Sequence, residues 1–419
     1  MTSPLPDIRI AVDSAGLQRR IDELSLISEA PAPVVTRVLF SEADLRGREY
    51  VRRAARGAGL AIREDAVGNI FARWEGSEPG LPAVGSGSHT DAIPNAGRFD
   101  GVVGVLGAFE ALAALRRAGF KPRRSLEVVM FTAEEPTRFG LGCLGSRLMA
   151  GSIPAEKART LKDRDGRTLD ELRAAAGCKG TLESVRLPSG YYHSFVELHI
   201  EQGPILEEQK IPIGIVEHIA APSSYRVTLH GEGGHAGAVL MPARHDAMLA
   251  GAEIALAVER AARESGSPDT VGTVGVFRIE PGAVNSVPFR AYLEIDLRDA
   301  RLDTRSKALA EIRSAADRAC GRRGVSMEFE EINADPPAAG DQRTVAIAEK
   351  VCAELGLRSL RMVSRAYHDS LFMARVSPTT MIFIPCRNGW SHRPEEYASP
   401  EHIASGAQVL AHTMARLAA

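Results

Sequence analysis

The chain has 419 residues, enough for two or three domains or for one large domain carrying an insertion. Apolar residues make up 44% and charged residues 25%, which provides for a sizeable core and excludes global disorder. Lys plus Arg number 51 against 53 Asp plus Glu, a net charge of −2, so no bulk charge draws the protein to nucleic acid or to an anionic membrane.

Met1 to Ile10 lacks the basic-then-apolar pattern of a secretory signal, and no apolar run reaches the roughly 20 residues of a membrane helix. The five cysteines, Cys143, Cys178, Cys320, Cys352 and Cys386, are widely spaced and form no Cys-x-x-Cys pair. The expectation is a reduced, cytoplasmic protein whose cysteines are small buried hydrophobes. Any metal must then be held by His and carboxylates.

Helical spacing of apolar residues predicts helices over Leu17–Leu24 and Leu45–Ala55. Ala83–His89 reads as a strand running into a loop, Gly101–Ala118 as a buried helix and Leu126–Thr132 as a second strand. Strand–helix–strand order implies right-handed crossovers and an α/β domain with a mostly parallel sheet flanked by helices. From about Ile213 the rhythm changes. Strands at Tyr225–His230, Thr270–Ile279, Arg290–Arg298 and Val325–Ile332 are interleaved with helices at Pro242–Arg263 and Arg301–Arg323. That is the order of a ferredoxin-like α+β sandwich, expected as an insertion at 215–332 into a domain made of 1–214 and 333–419. The first pattern resumes with a helix at Arg343–Leu355 and a strand at Thr380–Ile384.

Five separate segments place His or carboxylates at the ends of expected strands, where open α/β sheets bind ligands. Ser88-His89-Thr90-Asp91 sets Asp91 on the side of His89, able to accept the second ring N–H of a metal-bound imidazole. Gly97-Arg98-Phe99-Asp100-Gly101 leads into a helix; Asp100 reads alone as a helix cap, and with the others as a carboxylate able to bridge two metals. Glu134-Glu135-Pro136 puts two carboxylates on a bend, one for a metal and one for a proton. His199 lies in Glu197-Leu198-His199-Ile200-Glu201-Gln202-Gly203, and Ser391-His392 follows the apolar Met381–Ile384. Three His and two or three carboxylates suit zinc or manganese and point to a dimetal hydrolase site.

With Gly234-His235-Ala236-Gly237 added, these motifs resemble the M20 metallopeptidase superfamily, and within it the amidase/carbamoylase group, along nearly the whole chain. The resemblance implies two divalent cations per subunit, manganese before zinc. One would sit on His89, Asp100 and His199, the other on Asp100, Glu135 and His392. It implies Glu134 as general base and Asp91 as the residue orienting His89. It makes the insertion a lid and homodimerisation domain whose His235 reaches the partner's site. Gln202, Asn285 and Arg298 match substrate-binding positions. His199, where related peptidases carry a carboxylate, marks the amidase group. Glu134–Gly140, Gly237–Arg244 and Ser364–Ser370, the last with Tyr367-His368-Asp369, are similar to group members that act on ureidoglycolate. The implied reaction cleaves a ureido C–N bond of a small carboxylate, releasing ammonia and carbon dioxide, with ureidoglycolate giving glyoxylate. His368 is expected to bind the substrate. N-carbamoyl-L-amino acids and allantoate are the alternative substrates; a peptidase and a catalytically silent ligand-binding relative are the rival readings.

Overall fold

The computed structural model describes residues 9–419, so the first eight residues of the Met1–Ile10 reading lie outside it. The chain forms two compact units. One comprises residues up to Glu217, Ala339–Met362 and His368–Ala419; the other comprises His218–Ala338 and Val363–Tyr367. The second unit therefore begins and ends a few residues later than the expected 215–332, and it recruits a short later segment.

The first unit opens with α1 (Ser14–Ser25), β1 (Val35–Arg37), α2 (Glu42–Gly57), β2 (Ala61–Glu64) and β3 (Ile70–Trp74). Next come β4 (Ala83–His89), β5 (Ala92–Ala96), α3 (Val102–Arg117) and β6 (Leu126–Phe131). Three short helices, α4 (Leu144–Met149), α5 (Ala155–Arg159) and α6 (Leu169–Ala175), precede β7 (Tyr192–Ile200), α7 (Ile205–Gln209) and β8 (Ile213–Ile219). Asp13 and Ser41 cap α1 and α2 through their side chains.

The second unit contains β9 (Ala221–His230), β10 (Gly234–His235), α8 (Ala247–Arg263), β11 (Val271–Glu280), β12 (Ser286–Val287), β13 (Arg290–Asp299), α9 (Leu302–Arg323) and β14 (Ser326–Ala334). Its sheet runs β11-β13-β9-β14, with antiparallel pairing throughout. This is the strand order of a ferredoxin-like sandwich. Along β13, Ala291, Leu293, Ile295 and Leu297 are buried while the alternate residues are half-buried, so the period-two pattern places Arg298 on the polar face. The helix expected from Pro242 begins at Ala247 instead. Asp246 caps it, and Met241–Ala243 forms a separate 3₁₀ turn.

The chain returns through β15 (Ala338–Ala339), α10 (Gln342–Glu354), β16 (Ser359–Ser364), α11 (Asp369–Met373), β17 (Thr379–Ile384) and α12 (Pro400–Ala418). The main sheet has nine strands in the order β15-β8-β17-β7-β4-β6-β3-β2, with β16 beside β8. It is mixed rather than mostly parallel. The central neighbours β17, β7, β4 and β6 are parallel, whereas β8, β3 and β2 pair antiparallel. The central strands are buried along nearly their whole length, as suits parallel strands covered on both faces. One core joins them to α1, α3 and α12 through Leu17, Leu106, Leu198 and Leu410; a second packs Phe131, Phe195 and Leu144 together. β4 connects forward to β6 on one side and pairs with the later β7 on the other. Ligand crevices form at such a reversal of strand order, outside the carboxyl ends of the strands.

Candidate metal centre and active site

Parallel pairing brings the motifs together. His89, the last residue of β4, is level with Phe131 at the end of β6, and His199 on β7 is level with Phe383 on β17. The bend carrying Glu134 and Glu135 thus starts beside His89, and the loop carrying His392 starts beside His199. Asp100 arrives at the start of α3. It makes no cap there; Gly101 is the cap residue, and its φ of 65° suits glycine. A Cβ on Gly101 would lie 2.5 Å from atoms of the His89 ring, so glycine is also what lets helix and imidazole meet.

The Asp100 carboxylate divides its oxygens between two donor sets. Oδ1 lies 3.2 Å from His199 Nε2 and 3.6 Å from His89 Nε2. Oδ2 lies 3.3 Å from His392 Nε2, which is also 3.3 Å from Glu135 Oε1. His89, Asp100 and His199 form one group able to hold a metal, and Asp100, Glu135 and His392 form another. The tautomers fit this use. His199 Nδ1 donates to the Ile200 carbonyl at 2.9 Å and His89 Nδ1 to the Asp91 carbonyl at 3.0 Å, which turns each Nε2 toward Asp100; His199 Nε2 also lies 3.1 Å from the Gly101 amide. Burial favours a neutral Asp100, but hydrogen bonds to His199, His392 and His89 hold its carboxyl well below the usual range. Hydrogen bonds to Asp100 and Glu135 push His392 up to about 11. Carboxylates crowded with imidazoles in a buried site, each imidazole presenting Nε2, are a donor set that a divalent cation satisfies.

Glu134 belongs to neither group. Its Oε2 lies 3.7 Å from His89 Nε2. Burial, reinforced by Glu135, Asp369 and Asp100, pushes its carboxyl well above the ordinary value despite the opposing pull of His89. Asp91 acts differently from the sequence expectation. Its main-chain carbonyl orients His89, while its carboxylate lies 3.7 Å from that ring and accepts the amides of Glu134 at 3.3 Å and Glu135 at 3.0 Å. It anchors the acidic bend.

Gln202 has a left-handed backbone (φ 55°) and donates from Nε2 to Asp100 Oδ2 at 2.7 Å, leaving its buried Oε1 without a partner. Ser391 Oγ also donates to Asp100 Oδ2, at 2.7 Å. The His368 ring centre is 4.4 Å from that of His199; its buried Nε2 has no partner, and burial holds its pKa well below the ordinary value. Glu197 and Glu201, expected beside His199, make scaffold contacts, and Glu197 also lies within ligand reach of His199 and His368. Glu197 accepts from Ser88 Oγ and Ser370 Oγ, and Glu201 accepts the amides of Ile205 and Leu206 at the start of α7.

His235, Asn285 and Arg298 belong to the second unit. The two-stranded ribbon of β10 and β12 joins the first two, with the Ala236 amide donating to the Asn285 carbonyl at 2.8 Å; both residues are exposed. Arg298 points its fork at Asp296, with contacts of 2.8 and 3.0 Å, and its guanidinium lies 5.9 Å from the centre of the Tyr367 ring. The intrachain ion pair is therefore the contact it makes.

Sequence reasoning missed Glu396, which is buried, accepts the amides of Phe99 and Asp100, and has Oε2 2.9 Å from Ser391 Oγ. Asp369, part of the Tyr367-His368-Asp369 motif, accepts from Ser146 Oγ at 2.5 Å, a contact the sequence does not signal. Neither lies in a spacing that signals a ligand, although Asp369 directly follows His368. Among the described residues no helix is long and apolar enough to cross a membrane.

The pattern of Peptidase family M20/M25/M40 matches residues 85–416. The chain is 57% identical over 413 residues to a ureidoglycolate hydrolase of Oryza sativa subsp. japonica, covering 97% of this chain and 85% of that protein. It is 38% identical to an N-carbamoyl-L-amino acid amidohydrolase of Geobacillus stearothermophilus, covering 96% and 98%. The crystal structure of AtUAH in complex with glyoxylate superposes with a TM-score of 0.87 at 53% identity, covering 98% of each chain. These likenesses make the chain a member of Peptidase family M20/M25/M40.

Proposed function

We propose that the protein hydrolyses the ureido C–N bond of ureidoglycolate, yielding ammonia, carbon dioxide and glyoxylate. The division of Asp100 between two donor sets, with Glu134 left free of both, carries the reading of the chemistry. The substrate is inferred from the rice relative and from a similar structure that holds glyoxylate.

His89, Asp100 and His199 would hold one divalent cation, and Asp100, Glu135 and His392 a second, manganese before zinc. Such cations, when bound, supply Lewis acidity that makes a water more acidic and a carbonyl more electrophilic. Glu134 takes the proton of the attacking water at Oε2 and delivers it to the departing nitrogen. Asp91 fixes the bend so that Glu134 and Glu135 point to their separate tasks. The terminal nitrogen leaves as ammonia. The carbamate that remains loses carbon dioxide, and the resulting hydroxyglycine gives glyoxylate and a second ammonia. A similar structure in complex with (S)-hydroxyglycine is consistent with that order.

His368, with its free Nε2, would bind the α-hydroxyl, and Gln202 would turn its amide to the substrate. Arg298 would take the substrate carboxylate in place of Asp296, and Asn285 would assist. The second unit would act as lid and dimerisation domain, with His235 completing the partner subunit's site. Its β11 is a ten-residue edge strand, a ready surface for pairing with a second copy. A cytoplasmic location fits the five unpaired cysteines.

The test is ammonia release by manganese-loaded protein across ureidoglycolate, allantoate and N-carbamoyl-L-amino acids. Ureidoglycolate is expected to show the highest kcat/KM. Faster turnover of either alternative would overturn the substrate assignment and leave the dimetal hydrolase standing.

A further inference from the structure

We propose that Cys143 is a positioning residue for the base: its thiol donates to Glu134 Oε1 and so commits Oε2 to the proton. The proposal rests on the reading of Glu134 as base.

Residues 132–134 and 143–145 are zipped together. The amide of Cys143 donates to the Glu134 carbonyl at 2.8 Å, Leu144 to Ala133 at 2.9 Å and Gly145 to Thr132 at 2.8 Å. Ala133 and Cys143 both have φ of 55°, a left-handed conformation that non-glycine residues seldom adopt. The two strained residues turn the Cys143 side chain back toward the base it is zipped to. Ser146 fastens the junction from behind: its hydroxyl donates to Asp369, and its Oγ lies 3.2 Å from the Cys143 carbonyl. Cys143 is fully buried, and its Sγ lies 3.5 Å from Glu134 Oε1, within the reach of a sulfur hydrogen bond. The other oxygen, Oε2, is the one that faces His89. The carboxylate is thus pinned on one side and free on the other. Burial and the nearby Glu134 push the thiol well above its ordinary pKa, so it stays a donor at neutral pH. A base held this way does not have to be brought into orientation at each turnover.

A cysteine that is only a small buried hydrophobe makes the opposite forecast. Alanine would then serve as well, and serine, burying a hydroxyl, would serve worse. Cys143→Ala and Cys143→Ser should be compared as metal-loaded proteins with metal content measured. The alanine variant is expected to lose about tenfold in kcat, a fraction of what a general base contributes, with KM within about twofold. Serine should restore most of that loss. In a Glu134→Gln background the alanine change should have no further effect. Alanine turnover equal to the parent, or serine below alanine, would overturn the proposal. Near-normal turnover by Glu134→Gln alone would instead overturn the base assignment.

The S–H stretching band supplies a readout that does not require the alanine variant to fold. The infrared difference between the parent and Cys143→Ser isolates this thiol's band. It should lie below the free-thiol frequency and rise in Glu134→Ala. A band at the free-thiol position in the parent would refute the contact.

Discussion

The carboxylate of Asp91 accepts the amide of Glu135 at 3.0 Å, so a residue two places after a histidine of one candidate donor group sets the backbone of a carboxylate in the other. Because His89 is oriented by the Asp91 carbonyl, Asp91→Ala should leave His89 in place and loosen the acidic bend. The expected outcome is loss of affinity for the metal on Glu135, by roughly 10–100-fold, while the metal on His89 and His199 stays bound. Titration of the two sites by calorimetry checks this. Equal loss at both sites would show that the side chain supports His89 after all.

Glu134→Gln should keep both metals and the fold. The change removes a proton acceptor and leaves the five proposed ligands intact. The turnover expected to disappear is on the order of 10²–10⁴ in rate, read from kcat with metal content measured on the same sample.

Ureidoglycolate and N-carbamoylglycine differ only in the α-hydroxyl. A site built to hydrogen-bond a hydroxyl strongly rejects the analogue without one, so kcat/KM should favour ureidoglycolate by at least about 100-fold. His368→Ala should shrink that ratio with little change in metal content, since the Nε2 it removes is unpartnered and buried. An unchanged ratio would move the hydroxyl contact elsewhere.

His235 lies on an exposed ribbon of the second unit, its Nδ1 accepting the Gly237 amide at 3.1 Å, which leaves Nε2 for a substrate. If it serves the partner's site, His235→Ala and Glu134→Gln proteins, each poorly active, should regain activity when refolded together. The mixed dimer would carry one site with both residues intact. Activity that stays at the average of the parents despite proven subunit exchange would confine His235 to its own subunit.

Asp65 gives a pH test away from the metal ligands. Burial pushes its carboxyl up to about 6, against stabilising hydrogen bonds from Asn69 and Val67. The folded state therefore holds a proton that the unfolded state releases at lower pH. This contribution to stability is full below the unfolded value and is lost as pH rises through about 6, at most about 3 kcal/mol. Asp65→Asn removes the titration and keeps an oxygen for the amides. Relative to the parent, it should gain stability between pH 4 and pH 6.5, read as the shift in urea midpoint. A constant difference across that range would contradict the raised pKa.

The sequence by itself determined the elements and the residue types that carry the chemistry. Apolar periodicity located α3, β6, β13 and α9 to within a residue or two, and His and carboxylates near strand ends singled out five residues that the fold gathers into candidate metal-holding groups. Periodicity is local, so it reads well from a chain. The direction of the outer strands was not local: β8 and β3 run antiparallel to the central strands because of where the chain enters the sheet, which no single run encodes. Polar partnerships were decided by tertiary structure for the same reason. Whether Asp91 meets His89 through its carboxylate or its carbonyl depends on the bend that arrives from β6. Cys143 looks apolar in the sequence, and only the return of the loop onto residues 132–134 puts its thiol against Glu134. A polar group satisfies its hydrogen bonds with whatever the fold brings near, and that neighbour is a property of the packed chain.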